Sequence, residues 1–311
     1  MPLVENRQKA FATKVFTLTM LAIILIFYLI PISWIAISSF KSQKDVNASP
    51  PKLFFEPTLS GYVNLFTQRS LLQKDHVDKE ELSWYEQLVR DQGQVITGLS
   101  NYPSRLGNSF IIGFISTFLA ITLGTLTAYG FSRFKVKGEK DWLFFILSTR
   151  MLPPVVVTIP LFLMYRWLGL TDTKFGLILL YTTFNVSFAV WLMKGFIDEI
   201  PREYEEAALV DGYTRFQAFS KIVLPQAATG IAATAVFCLI TAWNEYAFAL
   251  ILTTRDAQTA PPFIPNVLGT GGLDWSAIAA GTVIFLMPVA IFTFLMRKHL
   301  LRGVTFGAIR K

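Results

Sequence analysis

The residues Glu206 to Pro225, EAALVDGYTRFQAFSKIVLP, form a polar, glycine-broken stretch between two segments apolar enough to cross a bilayer. Just ahead of it, Pro201 suits the first turn of a helix, Glu203, Glu205 and Glu206 favour the positive end of that helix, and Gly212 has the backbone freedom to stop it. A short helix is therefore expected, with Ala207 and Ala208 leaving room for another surface to come close. In the second half Phe216, Phe219 and Ile222 recur at three-residue spacing and are expected to anchor a second helix against a bundle, with Pro225 marking the entry to the next apolar run. A helix that lies at lipid headgroups favours Lys and Arg on its polar face. This one leads with three glutamates, which an anionic membrane surface repels, so a groove on a soluble protein is the expected partner.

Outward from this hairpin the chain is largely apolar. Of its 311 residues, 53% are hydrophobic and 16% charged, more apolar side chain than one soluble core of this length needs. A membrane-spanning helix takes about 20 mostly apolar residues. Six stretches qualify: Val15 to Phe40, Ser109 to Phe131, Trp142 to Arg166, Phe175 to Met193, Ala227 to Leu252 and Ile278 to Met296. An even number puts both termini on one side. Arg7, Lys9 and Lys14, then Arg133, Lys135, Lys137 and Lys140, then Lys194, Arg202, Arg215 and Lys221, and finally Arg297, Lys298, Arg302, Arg310 and Lys311 all fall on that side, which makes it cytoplasmic. The net charge of +7 is accounted for by this bias rather than by nucleic-acid binding. The first apolar run exceeds the roughly 7 to 15 residues of a signal-peptide core and lacks a small-x-small site after it, so it reads as a span. Cys238 is the single cysteine and lies within the fifth span, which gives no support to disulfides or a metal site.

The expected organisation is all-α and polytopic, with six transmembrane helices. Residues 1–14 form a cytoplasmic tail, 15–40 the first transmembrane helix, and 41–105 an extracytoplasmic segment. Residues 106–311 form the core with five more spans, the hairpin at about 198–225 and a cytoplasmic tail over 297–311. In the extracytoplasmic segment Leu82, Tyr85, Leu88 and Val89 recur at helical spacing and predict a small amphipathic helix. Gly124 with Ala128, and Gly230 with Thr234, sit four apart and predict close approach of helix backbones. Pro153, Pro154 and Pro160 interrupt the third span and should bend it.

The spacing Glu206-Ala-Ala, three residues, Gly212, nine residues, Ile222, one residue, Leu224-Pro225 resembles the EAA motif of binding-protein-dependent ABC importer permeases. FKSQK after the first span, RMLPPVVVTIPLF in the third, TAWNEYAFAL in the fifth and LLRGVTFGAIRK at the end resemble the carbohydrate-uptake branch of that family, the kin of the second maltose permease subunit. The resemblance implies that Glu206, Ala207, Ala208, Asp211 and Gly212 form a coupling helix seated in a cleft of a cytoplasmic ATPase subunit. It also implies a homologous sister permease, two ATPase subunits carrying ATP and Mg, and an extracytoplasmic solute-binding protein, all at a bacterial or archaeal inner membrane. The chain itself has no GxxxxGK[ST] phosphate loop, in line with a transport subunit that needs no cofactor of its own. The insertion near Gln68 to Ser100 departs from shorter members of the family.

Arg150, Asn185, Asn244 and Glu245 lie at membrane depth, where ionisable and polar groups face protein or a wet path. At 1.5 Å per residue Arg150 lies about 12 Å and Glu245 about 27 Å from the inner face, a gap of about 15 Å that a direct pair does not close. Arg150 is expected on carbonyls freed near Pro153 and Pro154 or reaching the inner interface. Asn244 and Glu245 are expected to line an outer cavity, with Trp243 and Tyr246 offering ring faces to a pyranose or polyol, or else forming an interfacial aromatic belt. Asn185 is the buried donor best placed for a hydroxyl, although interhelical bonding is the commoner use. Sugar or sugar alcohol as cargo rests on the resemblance; amino acid, peptide or phosphate is the alternative within the same class. An ion-driven secondary transporter would show internal repeats and several intramembrane carboxylates, whereas this chain shows no repeat and only Glu245.

Overall fold

The computed structural model describes residues 2–72, 82–151, 153–269 and 272–305. Among them the chain is all-α apart from two short antiparallel ribbons. It divides into two compact units, Met1–Ser100 with Asn266–Ile284, and Asn101–Pro265 with Phe285–Lys311.

The first unit opens with α1 (Pro2–Ser38), which from Val15 onward is apolar on all sides and exposes every side chain from Thr13 to Trp34. A helix of that kind is covered by lipid or another chain. The FKSQK residues then turn the chain. Lys41 is fully buried, donates to the Lys52 carbonyl at 2.6 Å and lies 4.2 Å from the centre of the Trp34 ring. Ser42 caps α2 (Gln43–Val46). After α3 (Ser60–Phe66), β1 (Thr67–Leu71) pairs antiparallel with β2 (Gln94–Leu99), and α4 (Trp84–Arg90) lies between them in sequence. α4 lies where a helix was expected, started by a Ser83–Glu86 capping box, but of the expected apolar face it buries only Val89: Tyr85 is exposed, Leu88 half-buried, and Leu82 precedes the helix. Residues 73–81 of the insertion lie outside the described residues. The ribbon was not expected, because TQRSL in β1 lacks the alternating apolar pattern of a strand and is held instead by pairing with residues far along the chain. β3 (Leu268–Gly269) and β4 (Gly272–Leu273) lead to Asp274. Buried Asp274 accepts from Asn64 (2.8 Å), Arg69 (3.1 Å), the Ser276 hydroxyl and the Ala277 N–H, tying the unit together.

The second unit contains α5 (Tyr102–Arg133), α6 (Glu139–Ser148), α7 (Pro154–Trp167), α8 (Lys174–Asp198), α9 (Glu203–Val210), α10 (Arg215–Ala218), α11 (Leu224–Gln226), α12 (Ala228–Trp243), α13 (Ala247–Leu252) and α14 (Ala260–Phe263). Its last element is the part of α15 (Trp275–Thr305) that follows Ile284. α1, α5, α8 and α15 are long and apolar enough to cross a membrane, and two bent pairs bring the total to six. α6 and α7 meet at 92°, and the helical segment Arg215–Gln226 meets α12 at 73°. The third span is thus bent where its prolines predicted, whereas the fifth is not the single helix expected. Pro153 and Pro154 deny the third its N–H donors, and Asn244 to Tyr246 break the fifth before α13.

Close approach of backbones occurs at Gly124 as predicted, whereas Gly230 makes room for a side chain instead. A Cβ on Gly124 would lie 2.5 Å from that of Ala189 on α8, and one on Gly230 would strike the Phe196 ring. At one end of α5, Ser132 and Arg133 bond to Asp198, Ile200 and Glu205. At its other end Arg105 donates to the Arg255 carbonyl and Asn108 to those of Asp256 and Gln258. Asp172, at φ +54°, accepts from the backbone N–H groups of Thr254, Arg255, Asp256 and Ala257. Burial pushes the Asp172 carboxyl up, but those four donors outweigh it and hold the group at about 2.

Candidate functional site

Two places carry the residues singled out by sequence. The first is the hairpin between α8 and α12. α9 begins after Pro201 and ends in a Schellman turn: the Gly212 N–H donates to Leu209 at 3.1 Å and the Tyr213 N–H to Ala208 at 3.0 Å, with Gly212 at φ +89°. Glu206, Ala207, Asp211 and Gly212 are exposed, whereas Ala208 is buried and is not part of the open face. Val210, 88% exposed, gives that face an apolar contact point. Thr214 and Gln217 form a capping box that starts α10.

The anchoring of the second half differs from the expectation. Phe216 is 72% exposed, and Phe219, Val223 and Ala227 are the buried residues, packed with Ala128, Met193, Ile197 and Ile200. A turn of π-helix over Phe219–Val223 lies within this stretch, and the buried positions recur every four residues rather than three. The three glutamates also differ in role. Glu205 is buried, pairs with Arg133 and accepts from the Tyr129 hydroxyl at 2.9 Å. Sequence reasoning missed it by treating the three alike. The available signal was Arg133, a cation at the end of the second span on the same side as the hairpin.

The second place is a cavity of about 220 Å³ in the second unit, lined by Arg150, Pro154, Tyr181, Phe184, Asn185, Thr241, Ala242, Glu245 and Phe248. Arg150 and Glu245, apart by linear counting, line this one cavity because both of their spans are broken. No ion pair joins them among the described residues. Arg150 makes long contacts to the Phe184 carbonyl (3.3 Å) and Asn185 Oδ1 (3.5 Å) and lies over the Phe188 ring. Its carbonyl partner thus comes from α8, not from the proline break. Glu245 closes the break in the fifth span, accepting from the Phe248 and Ala249 N–H groups at 2.8 and 3.0 Å and from the Tyr181 hydroxyl at 2.7 Å. Asn185 joins α8 to α12: Nδ2 donates to the Cys238 carbonyl, and Oδ1 accepts from Thr241 at 2.7 Å.

Trp243 and Asn244 do not reach this cavity. Trp243 is buried, donates to the Phe285 carbonyl at 3.1 Å and packs between the Phe110 and Phe285 rings. A ring so enclosed has no face for a solute. Asn244 folds back onto the Ile240 carbonyl, and Tyr246 is exposed outside the lining. Tyr181 and Thr241 were not anticipated. Each stands four residues before a singled-out residue, Asn185 and Glu245, which is the signal that places it on the same side of the chain.

A family profile described as "Binding-protein-dependent transport system inner membrane component" matches residues 120–306. A probable ABC transporter permease of Sinorhizobium fredii is 32% identical over 91% of this chain and 91% of its own length. The trehalose transport system permease of Mycobacterium tuberculosis is 37% identical over 67% of this chain and 77% of its own. A bacterial ABC transporter for import of the acidic polysaccharide alginate shares the fold, with a TM-score of 0.67, 21% identity and coverage of 91% of this chain and 95% of that one. The chain therefore belongs to the family of inner membrane permease components of binding-protein-dependent ABC transport systems.

Proposed function

We propose that this chain is the permease subunit of an ATP-driven importer that passes a sugar or sugar alcohol, delivered by an extracytoplasmic binding protein, into the cytoplasm. It works beside a homologous sister permease and two ATPase subunits that bind ATP and Mg. Both termini lie in the cytoplasm of a bacterium or archaeon, as the Lys and Arg bias requires. α9 is the coupling helix, with Glu206, Ala207, Asp211 and Gly212 on the face that enters the ATPase cleft. The observation that carries this assignment is an eight-residue helix with only Glu205 and Ala208 buried, ended by a glycine turn, inside the stretch that matches the family. A permease of a trehalose system among the relatives supports the cargo class.

The cavity of Arg150, Tyr181, Asn185, Thr241 and Glu245 is the solute path on this chain, where fixed donors and acceptors replace water around hydroxyl groups. The test is uptake by liposomes holding the complete complex, with the binding protein outside and ATP inside, and a ligand screen on that binding protein. Uptake should require ATP and a sugar or polyol. Transport that survives without ATP and collapses with an ion gradient would overturn the mechanism, and a binding protein selective for amino acids, peptides or phosphate would overturn the cargo.

A further inference from the structure

α9 has few ways to pass on a push. Of its side chains only those of Glu205 and Ala208 are buried. Ala208 offers one methyl group. Glu205 offers a carboxylate whose oxygens take Arg133 Nε and the Tyr129 hydroxyl, with the Arg133 and Glu205 side chains only 7% and 8% exposed.

The contacts continue on both sides of that pair. Arg133 also donates to the Ile200 carbonyl and to Ser132 Oγ, each at 2.9 Å. Arg202 donates back to the Ser132 carbonyl at 2.6 Å, and Ser132 Oγ donates to Asp198 at 2.5 Å. The Tyr129 ring lies 4.6 Å from that of Phe219, in the second half of the hairpin. The last turns of α5 are thus bonded to the chain entering α9, to α9 itself and to the segment that follows. A buried ion pair with its remaining donors and acceptors occupied is costly to open, since loss of one partner strands the other charge. It is stiff for that reason, and it sits at the end of a helix of 32 residues, about 48 Å long.

On the assignment of α9 as the coupling helix, we propose that Glu205, Arg133 and Tyr129 are the joint that passes displacement of α9 to α5. They are positioning residues, touching neither the ATPase nor the solute. The adjacent glutamates divide the work: Glu206 faces outward to the partner, and Glu205, turned about 100° around the helix, faces inward to the bundle.

The complete complex in liposomes, with ATP hydrolysis and uptake measured in the same vesicles, tests this. Glu205→Gln should keep the ATPase attached and hydrolysing, while uptake per ATP falls about tenfold, within the usual span of coupling between sites. The exchanged pair, Glu205→Arg with Arg133→Glu, should recover part of that ratio. An unchanged ratio overturns the joint, and so does a fall of uptake and hydrolysis in the same proportion, which marks a merely structural contact. If Glu205→Gln does not assemble, Tyr129→Phe and Arg133→Lys carry the same expectation with smaller changes. Ala207→Trp, on the outer face, should detach the ATPase; attachment indifferent to it would overturn the assignment of α9 itself, whatever Glu205→Gln does.

Discussion

Gly124→Ala adds one methyl group at the closest approach of α5 and α8. The new Cβ would lie 2.5 Å from Ala189 Cβ, 3.0 Å from the Ala189 carbonyl carbon and 3.1 Å from the Val190 nitrogen, whereas relaxed carbon contacts are about 3.5–4.0 Å. Two of those atoms are backbone, so no rotamer relieves the clash and the helices must part by about 1 Å. Such overpacking costs about 1–3 kcal/mol, offset by about 0.5–1 kcal/mol from replacing glycine in a helix. Gly107 and Gly130, on the same helix, meet nothing within 4 Å, so alanine there keeps only the gain. The assay is thermal unfolding of the purified chain in detergent, read by a thiol-reactive dye on Cys238, the single cysteine, which is fully buried. Gly124→Ala should melt a few degrees below the parent, since a chain of 311 residues shifts by at most about 2–4 °C per kcal/mol. Ala189→Gly in that background should recover part of the loss. A Gly124→Ala protein that melts as high as Gly107→Ala or Gly130→Ala would refute the packing argument.

Three further outcomes are expected. Asp172 titrates at about 2 in the folded chain against 3.8 for the free side chain, so its stabilisation is complete above about pH 4 and is lost as pH falls toward 2. For this half-buried carboxylate the effect is about 1 kcal/mol after solvent screening, and Asp172→Asn should abolish that acid step in proteolysis of the 254–257 loop. Gly212→Val forces a β-branched residue to φ +89° at about 1–2 kcal/mol of backbone strain, with no packing clash because a Cβ there meets nothing within 4 Å; the melting temperature should fall by no more than a few degrees while co-purification of the ATPase is lost. Asp274→Asn leaves the buried Arg69 guanidinium without its carboxylate, a loss of about 3 kcal/mol that limited proteolysis of the first unit should reveal as faster cleavage.

What the sequence by itself determined follows from local properties. Apolar length set the number of crossings, and Pro201, the glutamates and Gly212 set the start and end of α9, because helix ends answer to residues within a turn of them. Tertiary structure alone decided which glutamate turns inward, since the Arg133 that pairs with Glu205 is 72 residues away. It also decided that Trp243 is packing while Tyr181 and Thr241 line a cavity, and that Arg150 and Glu245 share it. Depth counted along straight helices cannot show this, because breaks at Pro153 and at Asn244 change where each side chain emerges. The unpredicted ribbon of β1 and β2 has the same origin: pairing between distant residues leaves no periodic mark on either strand.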